Sequence, residues 1–197
     1  MEKKKFFSAK NVAVLGVLMA LVIVVQAFGG SISIGVVQLN FSLIPIVLGA
    51  IVLGPLAGAL LGFACGVVIL VQVLMGLVPF YVLIWTNDPI VTTLTCLLKT
   101  TVAGLVSGFL FQWLEKKNKI VAVFVASGIV PLVNTAIFVL GCLCMTSVYQ
   151  MSDGTNVLAF ILVSIVTFNF FIELAINLVV APALNEVYRV VEKRFRR

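Results

Sequence analysis

Long apolar runs broken by short polar, glycine- or proline-rich stretches make up most of the chain, and the length of each run predicts its role. Residues 9–28 form a run of about 20 residues, which at 1.5 Å per residue is the ~30 Å of a hydrocarbon core. The next run, 41–53, gives only about 20 Å of helix before Gly54-Pro55. Proline donates no backbone hydrogen bond and biases the residue before it away from α geometry, so a turn is expected there. The returning arm, 56–76, carries Gly58, Gly62 and Gly66 at intervals of four, a bare stripe on one helix face against which another backbone packs closely. Further apolar runs occupy 89–113, 120–145 and 157–181. The pattern predicts an all-α integral membrane protein with six transmembrane helices in one domain, 1–197.

The breaks have patterns of their own. Residues 29–40, GGSISIGVVQLN, alternate partly between apolar and polar and predict a short strand-like loop. Residues 77–89, LVPFYVLIWTNDP, hold Tyr81 and Trp85, which suit a membrane–water interface, and then Asn87-Asp88-Pro89, a helix start. The polar stretch 146–156 contains Asp153-Gly154, a turn signal. After Pro182, the tail 183–197 sets Leu184, Val187, Val191 and Phe195 at helical spacing among basic residues. That predicts a separate amphipathic helix lying partly on an anionic leaflet, with membrane lipids as its partners.

Composition agrees: 62% of the 197 residues are hydrophobic and 10% charged, and the mean hydropathy is +1.27, far beyond what a soluble core uses. Of the 13 Lys and Arg, all but Lys99 are clustered. Lys3, Lys4, Lys5 and Lys10 precede the first run; Lys116, Lys117 and Lys119 separate the fourth from the fifth; Arg189, Lys193, Arg194, Arg196 and Arg197 close the chain. This asymmetry assigns both termini of a multi-pass protein to the cytoplasm, and it argues against a nucleic-acid partner. The first run is too long for the apolar core of a signal peptide and no A-x-A site follows, so it is expected to be an uncleaved span. The chain has no histidine, which excludes Ser-His or Cys-His catalysis and the usual histidine metal sites. Four cysteines in apolar runs, without a C-x-x-C, are expected to be small buried hydrophobes.

Polar groups inside the runs are the candidate chemistry. Asp88, Thr92, Thr95 and Lys99 fall at four, three and four, one stripe running inward. Lys99 lies about 15 Å along its span, too deep to snorkel, so it must face a cavity or a partner. Asn134 falls near the middle of the fifth run; Asn169, Glu173 and Asn177 stand at i, i+4, i+8 in the sixth. A mid-membrane carboxylate marks a functional group or an ion pair, so Glu173 has two readings: partner of Lys99, or part of a pocket in which Lys99 meets an anionic substrate. Gln38 and Asn40 face a ligand at the outer mouth or cap the next helix; Trp85 lines the same mouth or anchors in the interface. Ala9, Ala13, Gly16 and Ala20 line one face of the first span, for packing inside the bundle or as a docking surface for a separate membrane subunit.

These features together, with the LIPIVLGAIVLGPLAGALLG hairpin, resemble the S components of energy-coupling-factor (ECF) transporters, the vitamin-capturing subunits of bacterial ABC-type importers. The resemblance covers nearly the whole length, and the hairpin is similar to that of riboflavin, folate and pantothenate members. The A-x-x-x-A signature of that family, which docks on the transmembrane T component, falls best on Gly16 and Ala20, with Gly in place of the first Ala. The resemblance implies an ECF S-component-like bundle that captures a vitamin or related micronutrient from outside at high affinity. The loop after the first span would be a lid, the last three spans would supply binding groups, and the subunit would topple in the membrane to release its ligand. It also implies a T component and two cytoplasmic ATPase subunits as partners. No P-loop is present, so the chain is expected to be no enzyme and to need no cofactor, with ATP hydrolysed by those partners. The alternative is a stand-alone secondary carrier or channel for a small solute, coupled through Lys99, Asp88 and Glu173; the lack of a visible internal repeat weighs against it.

Overall fold

Gly54 divides the second apolar run in two: its φ of 99° lies where side-chain-bearing residues are strained, and Pro55 then opens a new helix from its first position. The computed structural model describes residues 8–29, 33–34, 37–151, 156, 161 and 167–195. In chain order the described elements are α1 (Ala9–Gly29), β1 (Ser33–Ile34), β2 (Val37–Gln38), α2 (Leu43–Leu53), α3 (Pro55–Leu74), α4 (Pro79–Asn87), α5 (Pro89–Leu114), α6 (Lys119–Leu143), α7 (Thr146–Met151) and α8 (Thr167–Phe195). The two short strands pair antiparallel, Ser33 opposite Gln38 and Ile34 opposite Val37. The turn at Asp153-Gly154 and the start of the last span near 157 lie outside the described residues.

Five described helices are long and apolar enough to cross a membrane: α1, α3, α5, α6 and the 169–193 part of α8. The protein is therefore a multi-pass membrane protein. The second expected span is α2, an apolar helix that Gly54 ends after 11 residues, ~16 Å, shorter than the other five.

The bundle is organised around the α3–α5 seam. A Cβ on Gly58 would meet the Gly104 carbonyl, one on Gly62 the Thr100 carbonyl, and one on Gly66 would lie 2.7 Å from the Cys96 oxygen. Gly108 in turn faces Pro55. The glycine stripe therefore lets two backbones touch, and the Thr100 hydroxyl donates across the seam to the Gly62 carbonyl at 2.6 Å. On the other side of α5, Ser107 donates to the Ala126 carbonyl of α6 at 2.9 Å, and Thr95 packs where a side chain on Gly141 would be.

Two segments differ from expectation. Residues 79–87, expected only as an outer segment with interface aromatics, form a helix, because Pro79 starts a turn that buries Phe80, Tyr81 and Ile84 on one side. The tail is not a separate helix: α8 runs unbroken through Pro182 to Phe195. One lost hydrogen bond at proline is offset by packing: Ala181, Leu184 and Tyr188 are buried, and the Tyr188 ring meets Phe111 edge-on at 5.1 Å. The Tyr188 hydroxyl donates to Glu115 at 3.1 Å, and Lys119 pairs with Glu192 at 2.7 Å. The tail is thus clamped to the basic α5–α6 loop.

Candidate functional site

The polar groups in the apolar interior gather into two linked sets. The first surrounds Lys99, on the inward face of α5 and 6% exposed. Its ammonium donates to the Tyr81 hydroxyl at 2.6 Å and lies 4.9 Å from the Tyr81 ring centre and 5.3 Å from that of Phe138. The two rings touch each other, centres 5.7 Å apart, and Phe80 closes the group edge-on at 5.8 Å from Tyr81. The charge is therefore held by a phenol and two π faces, an arrangement suited to a desolvated cation. Asn134 and Phe138 lie one turn apart on the buried face of α6. Asn134 is 6% exposed, and its side-chain oxygen has no hydrogen-bond partner among the described residues.

The second set binds α1, α2, α3 and α8 together. Gln26 donates to the Gln72 side-chain oxygen and Gln72 returns a bond to the Gln26 carbonyl, both at 3.2 Å. The Ser42 hydroxyl donates to the Gln26 side-chain oxygen at 3.1 Å. The Cys65 thiol lies 3.6 Å from that oxygen and 3.9 Å from the Asn40 amide. Glu173, 7% exposed, accepts the Asn40 backbone N–H at 2.8 Å. Lys99 and Glu173 form no ion pair: the described ion pairs are Lys119–Glu192 and Arg189–Glu186.

The predicted residues thus separate. Lys99, Asn134, Asn169, Glu173 and Asn40 are buried in the interior. Thr92 and Thr95 are buried too; Thr92 contacts the Met145 sulfur at 4.0 Å and Thr95 fills the groove at Gly141. Asp88 caps α5 and accepts from the Ser147 hydroxyl and, at 3.0 Å, from its backbone N–H. These bonds hold its carboxyl below the usual carboxylate range and tie α5 to α7. Trp85 is half-buried beside the core, with a buried indole N–H that has no hydrogen-bond partner among the described residues. Gln38 lies in β2. Tyr81, Gln26, Gln72 and Ser42 were not singled out by the sequence as site residues, and only Tyr81 had a signal, an aromatic with a polar tip beside an apolar run.

Three cysteines are buried, as expected; Cys144 is exposed, because α6 ends there. Among the described residues no group of three or more Cys, Asp or Glu could hold a metal ion. A cavity of about 750 Å³ opens at the basic end of the bundle, far along the helices from Lys99, between the α2–α3 turn, the α5–α6 loop and the end of α8.

On α1 the buried residues are Leu18, Val22 and Gln26. Ala9, Ala13, Gly16 and Ala20 are all exposed, and a Cβ on Gly16 would meet nothing within 4 Å. The small stripe therefore does not pack inside this bundle. A protein-family model described as "ECF transporter, substrate-specific component" matches residues 10–185. Among curated proteins none matches the chain.

Proposed function

Because the chain belongs to the substrate-specific components of ECF transporters, we propose that it captures a vitamin-like micronutrient from outside and delivers it through an ATP-driven complex. The partners are a T component in the membrane and two cytoplasmic ATPase subunits, which hydrolyse the ATP; the chain itself needs no cofactor. The observation that carries this reading is the face of α1. Only 17% of the most apolar window of α1 is buried, and its exposed side offers Ala13, Gly16 and Ala20 with open space above Gly16. Lipid gains little from such a notch, whereas a second helix packs closely into it. A stand-alone carrier has no use for the notch.

Lys99, Asn134, Asn169 and Glu173, with Asn40, form the substrate site. A buried ammonium without a carboxylate in ion-pair contact among the described residues favours an anionic solute. The basic end, with Lys116, Lys117 and Lys119, faces the cytoplasm of a bacterial plasma membrane, so that the Lys99 side opens outward and α2 counts as a short sixth span. In a background lacking the native cysteines, a cysteine at Ser33 should react with an impermeant thiol reagent in intact cells, and one at Asn118 should not; labelling at Asn118 alone would reverse the orientation. The function itself is tested in vesicles. Uptake of the co-purifying ligand should require the T component, both ATPases and ATP together, and uptake by this subunit alone would instead establish a stand-alone carrier.

A further inference from the structure

We propose that the solute bound here is an acid that also carries an N–H donor, its anionic oxygen on Lys99 and its N–H on the side-chain oxygen of Asn134. This rests on the reading of the cluster as the substrate site and adds the second recognition group. The contacts between α5 and α6 set their antiparallel register: Thr95 meets Gly141 and Ser107 meets Ala126. Between those two points, the level of Lys99 falls between Asn134 and Phe138. The Phe138 ring, 5.3 Å from the ammonium, confirms that level, and Asn134 is one turn away on the same buried face.

Two unmet demands therefore lie about one helical turn apart on the buried face between α5 and α6. In direct contact the ammonium has a neutral phenol and two ring faces; Glu173 acts on it only through space, and among the described residues no counter-charge lies within ion-pair distance. The Asn134 oxygen is a buried acceptor without a donor among the described residues. An anion satisfies the first and an N–H the second. A simple carboxylate leaves Asn134 unmet, and a neutral amide leaves Lys99 unmet. Tyr81 and Phe138 touch each other, so they frame the ammonium and leave no slot for a flat ring between them.

The test uses the purified full-length protein in detergent and N-acetyl amino acids from N-acetyl-β-alanine to N-acetyl-6-aminohexanoate. Each is compared with its N-methylated amide and with its methyl ester, by thermal shift and titration calorimetry. At least one parent acid should bind, and removing either the N–H or the charge should weaken it tenfold or more. These comparisons on the unaltered protein need no variant to fold. In Asn134→Ala the penalty for N-methylation should vanish, and in Lys99→Met the penalty for esterification. Equal binding of a parent and its N-methyl or ester form, or no binding by any member, overturns the inference alone. Binding that Lys99→Met and Asn134→Ala both leave intact lies elsewhere, and the site reading then falls as well.

Discussion

Leucine in place of Gly62 is expected to abolish the folded bundle. The first atom of any side chain there would fall on the Thr100 carbonyl and within 2.9 Å of the Thr101 Cα, both backbone and unable to step aside. The helices would have to separate, breaking the Thr100–Gly62 hydrogen bond and loosening the contacts at Gly58 and Gly66 on either side. Overpacking a well-filled interior usually costs about 1–3 kcal/mol. Here the obstruction is a neighbouring main chain, so the upper end is the minimum, a large share of the stability of a typical domain. Gly62→Leu should give no monodisperse peak in detergent, and Gly62→Ala should melt well below the unaltered protein. Gly16→Ala, on open surface, should melt unchanged. A normal melt for Gly62→Leu would mean that the seam is not closed at this point.

The second large effect separates docking from binding. Gly16→Leu together with Ala20→Leu should reduce uptake by the assembled complex more than tenfold, about 1.4 kcal/mol or more of association, while ligand affinity of the isolated subunit stays within twofold. Both residues are exposed on α1, on the face away from Leu18, Val22 and Gln26, so added bulk blocks an approaching helix without reaching the interior. Calorimetry on the subunit and uptake in vesicles measure the two halves. Undiminished uptake would remove this face from the partner interface.

How much of this was legible in the sequence depended on the range of the interaction. The turn at Gly54-Pro55 and the glycine stripe at Gly58, Gly62 and Gly66 are local patterns, and each has a structural counterpart in the C-cap of α2 and the α3–α5 seam. That Lys99 is buried followed from its depth in an apolar run. Its partner did not: Tyr81 is 18 residues away on a helix of nine, too short for periodicity to distinguish from an interfacial segment. Glu173 was conspicuous as a mid-span carboxylate, yet what it holds is a backbone N–H 133 residues earlier, which no side-chain pattern announces. The face of α1 was visible as a stripe, but its two readings differ only in which way the helix is turned, and rotation is decided by Leu18, Val22 and Gln26 against the rest of the bundle. At the tail, proline marked a boundary that packing at Leu184 and Tyr188 overrides.

The bond from Glu173 to the main chain at position 40 has a consequence for how this protein can diverge. A carboxylate that grips a peptide N–H is indifferent to the side chain that peptide carries. Residue 40 can therefore change type across descendants without releasing the segment from α8, proline excepted, since it alone lacks the N–H. Position 173 has no such latitude, because only a side chain of that reach with an acceptor at its tip keeps the grip. The segment at position 40 is free to drift in chemistry while its attachment to α8 stays the same.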